Sequence, residues 1–423
     1  MTSLEAPIFP RLLAGVVLSF ALFALQLASA ENARASEGLT SGESASTSVP
    51  AGTKVFPVDS TVFVFSPGNW VGDTGRGGSQ YRQTWNPGAY IRITWETQQG
   101  KVSPTLIFDT STYDASLKPP VLACNLDGVW TSDLVCANEV SVAGLSGAGK
   151  HVLTVYLKRS EQMRRWGTPG VSGANIVRLC GLRVDSDSVP GEALPNKQWA
   201  LIVGDSITEG NGAQELEGYS HLVGQALRTQ GFEYGLSASG WSGWLHRGDN
   251  PPGDIPGYYT ITDSVAGRGG KYDEADSRWN KIDASHSLLD ERGHISAYGG
   301  IGQDPSLILI NYGTNDAIHK TNDSDLNASI AQCLPALRAA APAAHLVLII
   351  PFGQYRAREL RRAVADFVSA HPEDKKVSVI DLGQEAANAL KVSGYWGGLH
   401  PNPRAHATFA AQITAKLISL LRE

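Results

Sequence analysis

A serine follows an apolar strand pattern in Ile202-Val203-Gly204-Asp205-Ser206-Ile207-Thr208-Glu209-Gly210, inside a turn bounded by glycines. A hydroxyl placed there stands over the carboxyl edge of a sheet. The residue's own N–H is left to face a substrate oxygen, as a nucleophile site requires. On Gly-Asp-Ser alone, a turn or helix cap is the simpler explanation. Three other segments change the balance. Asn311-Tyr312-Gly313-Thr314-Asn315-Asp316 ends another apolar strand, and Asn315 can donate its amide to a developing oxyanion. Gly398-Leu399-His400-Pro401-Asn402 precedes the last helix and brings an imidazole able to take the serine proton. Ser237-Ala238-Ser239-Gly240-Trp241-Ser242-Gly243-Trp244 carries glycines whose N–H groups can complete an oxyanion site.

These segments share an edge only if a parallel sheet carries them, and the pattern from residue 199 to 423 supplies one. Strand-like Trp199 to Val203, Phe232 to Ser237, Leu307 to Asn311, Leu346 to Pro351 and Val377 to Leu382 alternate with helical Tyr219 to Thr229, Asp325 to Ala340, Ala357 to Ala370 and Arg404 to Leu421. Right-handed crossovers then place helices on both faces and sites at the carboxyl strand ends. Residues 55–185 read differently. Short β-branched and aromatic runs separated by Gly, Pro, Asn and Asp turns predict an antiparallel β-sandwich, joined to the α/β domain by a polar linker at 186–198. The stretch from Trp244 to Asp304 is long for a loop, and reads as a substrate wall or as an insertion packed on the sandwich.

Composition excludes several partners. With 423 residues, 42% hydrophobic, the chain can bury a core, and a net charge of −6 without a basic block argues against nucleic acid. Gly144 to Lys150 nearly spells a phosphate loop, but a strand pattern follows it, so no nucleotide is expected. The His, Asp and Glu spacings predict no metal, and no cofactor is indicated. The apolar run from Leu12 to Ala30, ending Ala28-Ser29-Ala30, predicts a cleaved signal peptide over residues 1–30, with an uncleaved membrane anchor as the alternative, and 31–54 as a flexible tether. The mature protein is then secreted or periplasmic, with no stable membrane insertion. Export permits disulfides, and Cys124 and Cys136 flank a turn signal at Asp127-Gly128, which predicts a bridge between them.

Taken together and in this order, GDSITEG, YGTND and GLHPN resemble the SGNH, or GDSL-type, hydrolase superfamily over nearly all of residues 199–423. The resemblance implies a flavodoxin-like three-layer α/β/α domain with Ser206 as nucleophile, His400 as general base and Asn315 as oxyanion donor. The backbone donors would be Ser206 and a glycine, with Gly243 preferred and Gly240 second. A sandwich preceding such a domain is similar to the two-domain deacetylases of carbohydrate esterase family two. Family members commonly carry an aspartate three residues before the histidine. Here that position is Gly397. A Ser206–His400 dyad is therefore expected, its imidazole held by a carbonyl near Trp396 or Gly397. Asp205, Trp244, Tyr355 and Trp396 are the expected substrate contacts. The function implied is removal of acetyl or other short acyl groups from an acylated carbohydrate. An acyltransferase on the same scaffold and a non-catalytic glycan-binding protein are the alternatives.

Overall fold

The computed structural model describes residues 49–422 apart from 75–79, 145–146, 193, 214–215, 250–253, 262–276, 297–303 and 394–397. The predicted signal peptide, the start of the tether, and both Trp396 and Gly397 lie outside the described residues. None of the described helices is long and apolar enough to cross a membrane.

The first part is all antiparallel. Its strands are β1 (Thr53–Pro57), β2 (Phe63–Phe65), β3 (Val71–Thr74), β4 (Gln80–Thr84), β5 (Tyr90–Thr97), β6 (Thr105–Phe108), β7 (Val121–Leu126), β8 (Val129–Val135), β9 (Glu139–Ser141), β10 (Gly149–Arg159), β11 (Val177–Asp185) and β12 (Val189–Pro190). One sheet runs β3-β4-β11-β6-β9 with β1 on β11, and the other β12-β5-β10-β7-β8 with β2 on β5. Alternate residues of β5 and β10, including Ile91, Ile93, Trp95, Leu153 and Val155, close a core with Leu106, Leu179 and Leu182 of the other sheet. Trp70 and Trp95 are therefore packing residues, while Trp130 stays 55% exposed. The phosphate-loop look-alike leads into β10, a strand with no helix N-terminus to hold a phosphate.

The expected Cys124–Cys136 bridge does not form, and both thiols are buried and free. The β7–β8 register explains this. Val121 faces Val135 and Cys124 faces Thr131, while the Cys136 N–H bonds to the Pro120 carbonyl. Cys136 thus sits four positions from Cys124 along β7, about 13 Å at 3.3 Å per residue. That exceeds the roughly 7 Å of Cα separation a disulfide can span.

The second part is built on β13 (Gln198–Gly204), β14 (Phe232–Ala238), β15 (Leu307–Asn311), β16 (His345–Ile349) and β17 (Val377–Ile380), all parallel in the order β14-β13-β15-β16-β17. Counted from β13 this is the 2-1-3-4-5 flavodoxin-like order, whose switch point lies between β13 and β15. Between the strands run α1 (Ser206–Glu209), α2 (Tyr219–Arg228), α3 (Thr314–Ile318), α4 (Asp323–Ala340), α5 (Ala357–Ala370), α6 (Gly383–Ser393) and α7 (Pro403–Leu420). Strand alternation feeds both faces. Leu201, Val203, Ile308 and Ile310 meet Leu334 of α4 and Leu360 of α5 on one side. Ala200, Ile202, Leu307 and Leu309 meet Val223 of α2 and Ile413 of α7 on the other.

Strand β14 is the edge of this sheet, and the sandwich closes it with side chains. Asn69 donates its amide to the Leu236 carbonyl and accepts from the Leu236 N–H at 3.1 Å, and Asn86 accepts from the Ala238 N–H at 3.2 Å. Tyr90 and Arg92 reach buried Glu233 of the same strand, at 2.5 and 3.1 Å. Gly235 permits this approach, since a Cβ there would stand 1.9 Å from the Pro67 carbonyl oxygen. The edge groups are thereby paired and no longer offer a template to another strand. Asn69→Ala strands both polar groups of Leu236 in a buried setting, each costing about 1 to 3 kcal/mol. A loss of about 2 kcal/mol or more in urea unfolding is expected. An unchanged midpoint would show that water replaces the amide freely.

Candidate active site

Strand register sets the site. Gly204, the last residue of β13, pairs with Ala238 of β14 and with Asn311 of β15. Ser206 and Gly240 therefore lie two residues beyond neighbouring strand ends, and Asn315 four beyond the third. Asp205 caps α1, accepting from the Ile207 N–H at 2.9 Å, so the chain turns at the strand end and Ser206 starts the helix.

The imidazole arrives from the far end of the chain. Asn402 caps α7 by accepting from the Ala405 N–H at 2.9 Å, and Pro403 takes the first helical position. Just before this cap, His400 Nε2 lies 2.8 Å from Ser206 Oγ. His406 ties that helix to the serine loop, its Nδ1 accepting from the Tyr219 N–H at 3.0 Å and its Nε2 lying 3.3 Å from the Asn211 carbonyl. Nδ1 accepts, so Nε2 carries the proton and donates. Burial lowers the His400 pKa below its ordinary 6.5, against a small upward pull from Glu209. A neutral ring next to a hydroxyl can accept its proton.

Donors surround this pair. The Ser206 and Gly240 N–H groups meet no acceptor among the described residues. Asn315 Nδ2 donates to the Ser242 carbonyl at 2.9 Å and lies 3.5 Å from Asp205 Oδ2, too long for a strong bond, so one of its hydrogens is hardly committed. Gly243 differs from the expectation. Its N–H is taken by the His246 carbonyl at 2.9 Å, and a Cβ there would meet the Asp316 carboxylate at 2.5 Å. Gly243 is a packing position under the loop, and Gly240 is the glycine with a donor to spare.

Residues 202–408 match the GDSL-like Lipase/Acylhydrolase family. The chain carries a GDSL-type acylhydrolase domain. No curated protein matches the chain in sequence. Among solved structures it is similar to the acetyl xylan esterase Est2A of the rumen bacterium Butyrivibrio proteoclasticus, with 16% identity, TM-score 0.59, and coverage of 88% of this chain and 99% of that one. A family two carbohydrate esterase from Clostridium thermocellum, in complex with cellohexaose, gives 16% identity, TM-score 0.56, and 85% and 99% coverage. The salicylyl-acyltransferase SsfX3 of a tetracycline biosynthetic pathway gives 14%, 0.55, and 88% and 98%. The shared fold includes the sandwich as well as the GDSL domain.

Not all expected substrate contacts of the GDSL domain are open. Trp244 is fully buried against Tyr258 and Tyr312, inside the core rather than on the edge. Its N–H and that of Leu245 are held by Asp316, at 2.9 and 3.1 Å. Asp205 is buried too, its carboxyl pushed up to about 7 by desolvation, opposed by the Ile207 N–H and reinforced by Asp316. It is a cap, not a surface contact. Tyr355 is half-buried and borders a shallow groove with Lys320 and Arg356. Parts of the long stretch after Trp244 pack inward, while Arg247, Ser285 and Glu291 are exposed. Trp85 Nε1 donates to the Ile282 carbonyl at 2.7 Å, and buried Arg278 donates to the Gly204 carbonyl at 3.4 Å and to Ser237 Oγ at 3.1 Å. Among the described residues no cluster of three or more His, Cys, Asp or Glu could hold a metal ion.

Sequence reasoning missed the group that binds these pieces together. Arg165, on the sandwich loop after β10, is fully buried. It donates to Glu209 at 2.7 Å and in bidentate fashion to Asp249 at 2.9 and 2.8 Å. Glu209 closes the turn that Ser206 opens, and the Asp249 N–H donates to the Gly240 carbonyl at 2.6 Å. The guanidinium also lies 5.0 Å from the Trp85 ring. The partners stand 44 and 84 residues away in sequence, with no motif to announce them. Arg165→Met leaves two buried carboxylates without a cation, which typically costs about 3 to 5 kcal/mol. Guanidinium unfolding should show a loss of that size at pH 7. A change below 1 kcal/mol would mean the carboxylates find water instead.

Proposed function

We propose that the protein hydrolyses short acyl esters, foremost O-acetyl groups on carbohydrate, through an acyl-enzyme on Ser206. The observation that carries this is the 2.8 Å contact between Ser206 Oγ and His400 Nε2, beside two N–H groups that meet no acceptor among the described residues. The likeness in fold to family two carbohydrate esterases supports the substrate class. As Ser206 Oγ attacks the ester carbonyl carbon, its proton passes to His400 Nε2. The oxyanion is received by the N–H groups of Ser206 and Gly240 and by the second hydrogen of Asn315. Collapse expels the alcohol, which leaves with the proton held by His400. Water then gives a proton to His400 and attacks the acyl carbon, releasing the acid and restoring Ser206. The same acyl-enzyme would serve an acyltransferase if a sugar hydroxyl replaced that water. Product analysis with an added acceptor sugar separates the two.

Export belongs to this reading: residues 1–30 direct the chain out of the cytoplasm and are removed after Ala30, so the mature protein begins at or near Glu31. Mass spectrometry of the natural product checks the new N-terminus.

Ser206→Ala and His400→Ala should each lower turnover on p-nitrophenyl acetate by about a thousandfold or more, since the two act as a unit. A fluorophosphonate probe should label the parent protein and leave Ser206→Ala unlabelled. Acetyl esters should turn over faster than octanoyl esters, because no long apolar run borders the motifs to take a lipid chain. Equal or faster octanoyl turnover would overturn the short-acyl assignment. His400 must be neutral to act as base and its pKa is lowered, so the acid limb of kcat/KM should fall below pH 6.5. An acid limb above 6.5 would contradict the burial of the ring.

A further inference from the structure

The loop that follows β10 does more than supply Arg165. Ser160 donates to the Trp85 carbonyl at 3.0 Å and accepts from Arg165 Nη1 at 2.9 Å, which fixes both ends of a short segment over the catalytic edge. Within it Gln162 is half-buried, its N–H on the Glu161 carboxylate at 3.0 Å and its Nε2 donating to Glu209 Oε2 at 3.0 Å. A Cβ added to Gly240 would stand 2.4 Å from that Nε2 and 3.0 Å from Oε1, so the amide lies directly against the glycine. Among the described residues no donor reaches Gln162 Oε1.

Gln162, Glu209 and Asn211 line a cleft of about 580 Å³ together with Lys118 and Arg159. The cleft adjoins the turn of Ser206, since its lining residue Glu209 belongs to that turn and the N–H of Asn211, another lining residue, donates to the Ser206 carbonyl at 2.9 Å. Its volume lies within the range of small-molecule sites and far exceeds what a two-carbon acyl group fills. Its charges balance, with Lys118 and Arg159 against Glu161 and Glu209, and Arg159 already engaged by Asp133 at 2.8 Å. Such a surface offers donors and acceptors to hydroxyl groups without favouring an anion. An amide presents both kinds at once, as a sugar hydroxyl does.

We propose that this cleft binds the alcohol half of the ester, a sugar or short oligosaccharide, and that Gln162 is the contact supplied by the sandwich. Its Oε1 accepts a hydroxyl next to the ester, while its bond to Glu209 holds the amide in place. The proposal rests on the reading of the protein as a carbohydrate esterase. Two readouts keep the failures apart. The first is kcat/KM of the parent, Gln162→Ala and Gln162→Met on acetylated xylo-oligosaccharides and on p-nitrophenyl acetate, which has no sugar. Both variants should lose about tenfold more on the glycan than on the nitrophenyl ester, mainly through KM, a ratio that a merely structural role would not move. The second is calorimetric binding of acetylated xylohexaose to Ser206→Ala with and without Gln162→Met, where about tenfold weaker binding is expected. Equal losses on both esters, or binding unaffected by Gln162→Met, would overturn the proposal. A parent protein that binds the glycan through Gln162 yet cleaves neither ester would sink the hydrolase reading and leave the cleft standing.

Discussion

The catalytic edge depends on one buried cation. Glu209 belongs to the turn that begins with Ser206, and Asp249 holds the loop that contains Gly240, so the two carboxylates set the two segments whose Ser206 and Gly240 N–H groups are proposed to receive the oxyanion. Left to themselves, two acids this buried would repel each other and draw in water. Arg165 lies between them with donors in a fixed fork, and its planar geometry converts repulsion into a spacing. The net stability gained from such a triad is small, because desolvation opposes attraction. What it gives is position. Stabilisation of a developing charge works only when its donors are already in place.

Through Arg165 the sandwich therefore positions the segments of Ser206 and Gly240 and is not a mere attachment to them. Acidic residues within the motifs serve the same end by quieter means. Asp316, buried, spends both its oxygens on the N–H groups of Trp244 and Leu245 and thereby shapes the loop after Gly240. Asp205 closes the first turn of a helix only four residues long. Neither stands where a substrate could meet it. Their placement makes the motif a device for folding the strand ends as much as for chemistry.

The residues readable from the sequence were those whose position follows from local pattern. Ser206, Asn315 and His400 sit immediately beside an apolar strand or a capped helix, and a parallel sheet brings such ends together whatever the intervening chain does. The choice between Gly240 and Gly243 was not readable in this way, because it turns on the pairing of Gly204 with Ala238 and on a bond from Gly243 to His246. Trp244 misled because an aromatic after a glycine looks the same in sequence whether it faces solvent or core. The cysteines misled likewise, since β7–β8 register, and not distance along the chain, decides which side chains meet. Arg165, Gln162 and Asn69 were invisible for a common reason: each acts across domains, on partners with which it shares no periodicity.

The capping of β14 by Asn69 and Asn86 bears on how the molecule is assembled. A chain leaves the ribosome amino end first, and domains generally fold as they emerge. The sandwich can thus be complete, with both asparagines presented, before β14 has been made. When that strand arrives, it finds partners on both sides at once, the sandwich asparagines on one and β13, made before it, on the other. An edge that would otherwise be open to neighbouring nascent chains is occupied from the start. For the same reason the two modules are poor candidates for shuffling, because a GDSL domain moved onto another scaffold would carry away a sheet whose last strand had been finished by its former neighbour.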